Sequence, residues 1–285
     1  MSPLIVSTVL VPLGLGLCAG LVLLILPPRR LVWWAIAGLL AILVYVNSEG
    51  VPPFPPIASK QRLGYVIALA VLLAPLMSLT SRWIAAAVYV ALSFIALYWL
   101  GGARLASPAN WAPLAWLTPL PALFGLATAG FAGRAAQAGT AHTDAFYRFR
   151  LGTLVTAIGA SILTLIGGFV GMAQLAGGLA AATGGLLIVT YSKSILGRSG
   201  PPELGPDAAA RALSGTLTAI VLISALFTPT PSPLGFFLLA LAPLAAQRVP
   251  VPAGLPAWAR PFVFGLAAAI PVIGAVIAAL LSSAG

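Results

Sequence analysis

The sequence predicts an all-α polytopic integral membrane protein of about ten transmembrane helices, built as a 5+5 inverted-topology repeat. Three observations carry this. Charged residues are only 6% of the 285 and hydrophobic ones 61%, whereas a water-soluble domain carries about a quarter charged residues to cover its surface. Apolar runs, most of them 17 to 23 residues long, recur along the chain; each matches the ~20 residues a helix needs to cross ~30 Å of hydrocarbon. They do not alternate polar with apolar, which excludes an outer-membrane barrel. The two halves of the chain also share weak similarities in the same order, the form in which transporter repeats show themselves in sequence.

The first span, 4–26, has no basic segment before Leu4 and is followed by PPRR, so it reads as retained rather than as a cleaved signal. It holds Cys18, the only cysteine, which rules out a disulfide within the chain. Its Gly16 and Gly20 form a small-residue step suited to close helix packing. Spans two and three, 31–47 and 63–80, are joined by VPPFPP at 51–56, a stiff connector or a lid, and Pro75 interrupts the third. Span four is 83–100, and span five, 113–132, contains Pro119 and Pro121.

The run from Leu151 to Ser192 is 42 residues without a charge. At 1.5 Å per residue it would reach ~63 Å, about twice the hydrocarbon thickness, so it must fold back. Gly167, Gly168, Gly171 and Gln174 are its most polar, least helix-favouring point, which separates span six, 151–170, from span seven, 175–192. Gly167 and Gly171 also make a GxxxG step for helix packing. Span eight, 211–228, follows Asp207, placed as its N-cap. The ninth, 233–246, is short and contains Pro243, and the tenth, 262–282, contains Pro271.

Alternating the loops sorts 11 basic residues (Arg29, Arg30, Arg82, Arg134, Arg148, Arg150, Lys193, Arg198, Arg211, Arg248, Arg260) to one side and 3 (Lys60, Arg62, Arg104) to the other. The richer side is cytoplasmic by the positive-inside rule, which puts both termini outside a cell (inner) membrane. The net charge of +10 then reflects topology and attraction to anionic lipids. Nucleic acid is not an expected partner, because the basic residues are spread over short loops.

PALFGLATA at 121–129 matches PFVFGLAAA at 261–269 in six of nine positions, each in the last span of its half. STVL at 7–10 with GTLV at 152–155, and Pro52-Pro53 with Pro201-Pro202, keep the same order. These divide the chain into a first half, 1–134, a cytoplasmic linker, 135–150, and a second half, 151–285. Five spans per half invert the second copy.

The acids Glu49, Asp144, Glu203 and Asp207 all fall in predicted loops, so no carboxylate is expected at membrane depth to couple protons or sodium. One histidine, His142, cannot build a bis-histidine haem or multi-histidine metal site, and no GxSxG nucleophile turn occurs. An enzyme, a metal site and a cofactor are therefore not expected. Pro75, Pro243 and Pro271 each free a helical carbonyl, which is tolerated where the break faces protein or a wet cavity. The mid-span hydroxyls Thr156, Thr164, Ser214, Thr218 and Ser224 are the candidates to line a weakly polar path, unless they bond back to their own helices. In AHTDAFYRFR at 141–150, Arg148 and Arg150 could dock a lipid phosphate or a partner.

These features point to a small carrier or channel for a neutral or amphipathic solute, its path at the interface of two inverted five-helix units. In size, ten spans and five-plus-five layout the chain resembles the drug/metabolite transporter group, in architecture only; carriers of that group usually keep both termini inside, opposite to the charge count here. The alternative is a non-catalytic membrane subunit or assembly factor of a larger complex, with other membrane subunits or further copies of itself as partners.

Overall fold

A computed structural model describes residues 5–26, 30–135, 140–195, 207–252 and 254–284. Among these residues the regular structure is all helical. The long helices are α1 (Val6–Ile25), α2 (Arg30–Glu49), α3 (Ser59–Ser78), α4 (Arg82–Gly101), α5 (Pro119–Ala135), α6 (Thr140–Ile166), α7 (Val170–Ile195), α8 (Asp207–Phe227), α9 (Pro233–Arg248) and α10 (Arg260–Ala284). Eight of them are long and apolar enough to cross a bilayer, which makes the chain a multi-pass membrane protein by length and composition. The other two, α5 and α9, have 17 and 16 residues.

Polar contacts at the helix ends show consecutive helices running in opposite directions. At one end of the bundle Asn47 Nδ2 donates to the Ser7 carbonyl at 2.7 Å and Lys60 pairs with Glu49 at 3.2 Å. At that same end Arg62 donates to the Trp99 carbonyl at 2.9 Å, and Arg104 donates to the Leu226 carbonyl. At the opposite end Arg148 donates to the carbonyls of Ala246, Gln247 and Val249, and Tyr191 stands edge-on to Tyr147 and Phe262. Three of these arginines thus serve the carbonyls of a helix C-terminus, α4, α8 or α9, where intrahelical partners run out and the helix dipole is negative.

The centre of the bundle is α8, packed by α2, α3, α4, α5, α6 and α7 and with 89% of its apolar window buried. At the periphery α1 lies along α7, with 22% buried. A two-fold relating the halves would make α3 the counterpart of α8, yet α3 is 39% buried. It would also give α1 neighbours in α4 and α5 like those α6 has in α9 and α10; among the described residues α1 makes no comparable contact with either.

The charge-free run does fold back, through Gly167, Gly168 and Phe169. Gly168 takes φ +82, its N–H donates to the Leu165 carbonyl at 3.1 Å, and Phe169 N–H donates to the Thr164 carbonyl at 2.7 Å. This is a Schellman closure, with glycine where the left-handed conformation is required. The turn is tighter than expected, so α7 begins at Val170 rather than 175. The largest departure is at α6, which starts at Thr140. Residues 140–150, expected in a linker, are the first three turns of that helix, because their cations are met by carbonyls and aromatic faces instead of water. Span five begins at Pro119, at a first helical position where the missing N–H costs nothing; short helical turns fill 103–117 before it.

Candidate functional site

A narrow slot of ≈ 80 Å³ runs between α3, α4 and α8. Its walls are apolar, with Val66, Leu73, Leu92 and Leu222 among them, while Tyr89, Ser93, Arg211 and Thr218 bring polar groups to it. The volume holds roughly a few waters. The mouth lies between α3 and α4, where Leu69, Ile95 and Trp99 are exposed to the bilayer side.

The polar core of the slot is a hydroxyl cluster joining α4 to α8. Tyr89 Oη lies 3.0 Å from the Ser214 carbonyl, 3.2 Å from Ser214 Oγ and 2.5 Å from Thr218 Oγ1. A phenol has one proton to give. If it goes to the Ser214 carbonyl, a hydroxyl of Ser214 or Thr218 must donate back to the phenol oxygen. One turn along α4, Ser93 Oγ donates to the Tyr89 carbonyl at 2.8 Å. All four side chains are buried. Gly215 sets the spacing beside them: a Cβ there would meet Ala70 Cβ at 2.8 Å, so only glycine lets α8 sit this close to α3. Arg211 lies a turn nearer the N-terminus of α8, also lines the slot and is 2% exposed.

Of the five hydroxyls singled out in the sequence, Ser214 and Thr218 belong to this cluster. Thr156, Thr164 and Ser224 do not. Each donates to a carbonyl four residues back in its own helix, Gly152 at 2.6 Å, Ala160 at 2.7 Å and Ile220 at 2.6 Å, which consumes the proton a path would use. Nor do the proline breaks line the slot. Pro75 cannot donate to the Val71 carbonyl, and Trp34 Nε1 donates to it instead at 2.7 Å. Pro243 is buried at the α9–α6 contact, its Cα 3.3 Å from where a Gly152 Cβ would stand. Pro271 lies half-buried within α10.

The glycines divide as well. Gly16 and Gly20 face α7: a Cβ on Gly16 would run into the Ala182 carbonyl, and one on Gly20 would meet Val189 Cβ at 2.7 Å. Gly167 and Gly171 form no helix seam, because the chain turns between them. A Cβ on Gly167 would strike the Thr228 methyl, and one on Gly171 would lie 3.3 Å from Glu49 Oε1.

The arginines expected to dock a lipid phosphate or a partner are turned inward. Arg150 is 1% exposed, with its guanidinium carbon 3.5 Å from the Phe146 ring centre and 5.1 Å from that of Trp33. Desolvated cation–π contacts of this kind are worth about 2 kcal/mol. Arg148 is spent on the α9 carbonyls and the face of Phe264, 4.2 Å away. The side chains of His142 and Asp207 lie outside the described residues.

Sequence reasoning missed Tyr89, because tyrosine in an apolar run reads as an interfacial anchor. Its distance from the ends of the run, with Ser93 one turn away, was the signal that it is a core residue. No protein-family model, curated protein or solved structure matches this chain, so what the slot does has to be argued from its own residues.

Proposed function

We propose that the protein is a membrane carrier or channel for a small neutral or amphipathic solute, moving along α8 through the slot between α3 and α4. The observation that carries this reading is the buried Tyr89–Ser214–Thr218 cluster beside a cavity at the most enclosed helix of the bundle. Hydroxyls that pair with one another across helices can exchange a partner for a solute hydroxyl or amide at little cost, whereas hydroxyls bonded to their own helix cannot. The apolar walls and the mouth toward lipid favour a solute with an apolar part. No carboxylate lines the slot, so a neutral molecule suits it better than a cation.

In this reading all ten helices cross a cell (inner) membrane with both termini outside. The alternation of helix directions supports it, as does the basic side of the chain. At ~24 Å for 16 residues, α9 is shorter than the ~30 Å core and would cross where the bilayer thins or the helix is shielded by α6 and α10. Reporter fusions at the two ends test the orientation, and a cytoplasmic signal from either end contradicts it.

The function is tested by solute flux in proteoliposomes of the purified chain. Tyr89→Phe and Thr218→Val are expected to lower flux about tenfold, the worth of one or two buried hydrogen bonds, while Thr156→Val and Ser224→Ala leave it within about twofold. Equal effects of all four sink the assignment. The modest size of the slot favours a second reading, a non-catalytic membrane subunit or assembly factor. Obligate copurification with other membrane proteins, together with no flux from the isolated chain, would select it.

A further inference from the structure

Away from the slot, a groove of ≈ 470 Å³ runs between α6, α7 and α10. It opens sideways to the bilayer. Tyr147, Tyr191 and Phe262 form an edge-to-face ladder at one end, with ring centres 6.1 Å apart at each step, and Leu151, Leu154 and Ile188 wall the rest. From Tyr147 to Leu154 it extends ~10 Å along α6, about a third of the hydrocarbon thickness.

Two glycines line this groove, and neither is packed closely against another helix. A Cβ on Gly265 would have nothing within 4 Å, and one on Gly184 would meet only Leu154 Cδ1, at 3.8 Å. Glycine inside a helix costs about 0.5–1 kcal/mol relative to alanine. At Gly16, Gly20 and Gly215 close approach explains that cost; at Gly184 and Gly265 only the open space does. A void this size beside lipid forfeits dispersion contacts unless something fills it. The lining is apolar, which disfavours water.

A salt-bridged pair, Arg260 and Asp144, stands just beyond one end of the groove. Arg260 immediately precedes Pro261 and Phe262 of the wall, and its Nη1 donates to Asp144 at 3.3 Å, one turn before Tyr147. The Arg260 side chain stays 27% exposed; its Nε donates to the Leu255 carbonyl at 3.3 Å, and the N–H groups not used there or on Asp144 can meet an anion. Aromatic rings beside a basic residue at the end of a span mark the headgroup level.

We propose that this groove is a lipid site, holding the head-proximal part of an acyl chain of a bilayer phospholipid whose phosphate sits at Arg260. The site stands whether or not the slot between α3, α4 and α8 carries a solute.

The test places the full-length chain in nanodiscs containing phosphatidylglycerol, extracts it into mild detergent and measures retained lipid by native mass spectrometry beside the unfolding temperature. The wild-type chain is expected to keep a phosphatidylglycerol molecule. Gly265→Leu and Gly184→Leu, on different helices and at positions where an added Cβ meets nothing closer than 3.8 Å, are expected to lose it while staying folded. Arg260→Gln is expected to lower retention about tenfold, as loss of a charge-assisted hydrogen bond does. The proposal is overturned if the wild type retains no lipid, or if both folded groove-filling variants retain as much as wild type. A wild-type dimer that Gly265→Leu dissociates also overturns it, since a second copy would then be the occupant.

Discussion

At the scale of single residues, the bundle handles its polar atoms in two ways: most hydroxyls bond within their own helix, and a few side chains reach across to a neighbour. Trp34 is the clearest cross-helix case. Its indole N–H meets the Val71 carbonyl that Pro75 frees, an acceptor that lipid could not satisfy. Trp34→Phe is expected to destabilise the protein by about 1–2 kcal/mol in detergent-titrated unfolding, the cost of a buried unpaired carbonyl. Adding Pro75→Ala, which restores an N–H for the same carbonyl, should recover most of that loss. A double variant as unstable as the sum of the two single changes would show that the indole acts through packing instead.

Helix contacts in this protein depend on which glycines face backbone and which face space. In the α1–α7 seam Gly16 and Gly185 face backbone: a Cβ on Gly185 would meet the Leu13 carbonyl oxygen at 2.5 Å and the Leu17 nitrogen at 2.8 Å. Those atoms cannot swing aside as a side chain can. Gly185→Ala is therefore expected to push α1 from α7 and cost about 1–3 kcal/mol. Gly265→Ala, on α10 with nothing near its Cβ, is expected to stabilise by about 0.5–1 kcal/mol through helix propensity alone. Thermal unfolding of both variants in one detergent checks the pair; the same sign for both would mean that local spacing is not what decides. The seam was legible in the sequence as Gly16 and Gly20. Its partner face on α7 was not, because glycine and alanine occur all round that helix.

For the molecule as a whole, the consequence of this packing is a gradient from α8 at the centre to α1 at the edge. Cys18 on α1 is exposed and is the only cysteine, so it reports on that edge without background. In mild detergent at alkaline pH, where the thiolate can form, it is expected to react with a small neutral maleimide, and in a bilayer to be spared by a charged, membrane-impermeant one. In a Cys18→Ser background, Ser224→Cys, at a fully buried position on α8, should react with neither until the protein is unfolded. Labelling of both sites in the folded state would contradict the arrangement. The internal sequence similarity points to equivalent halves, while α8 and α3, which would be counterparts, are 89% and 39% buried. Short matches in a chain this rich in alanine, leucine and glycine reflect composition as readily as ancestry.

Composition and run length by themselves determined that lipid is the solvent, that the chain crosses it as helices, and that the charge-free stretch turns back near its middle. These follow from local hydrogen bonding and from transfer energies that add up along the chain, so no partner need be known. Only the tertiary structure decided that Ser214 and Thr218 join Tyr89 while Thr156, Thr164 and Ser224 close on themselves. It alone turned Arg150 onto Phe146 and Trp33. The reason is rotational: a helix apolar on all sides has no stripe to say which face meets a neighbour, and that rotation settles whether a polar atom finds a partner outside its own turn.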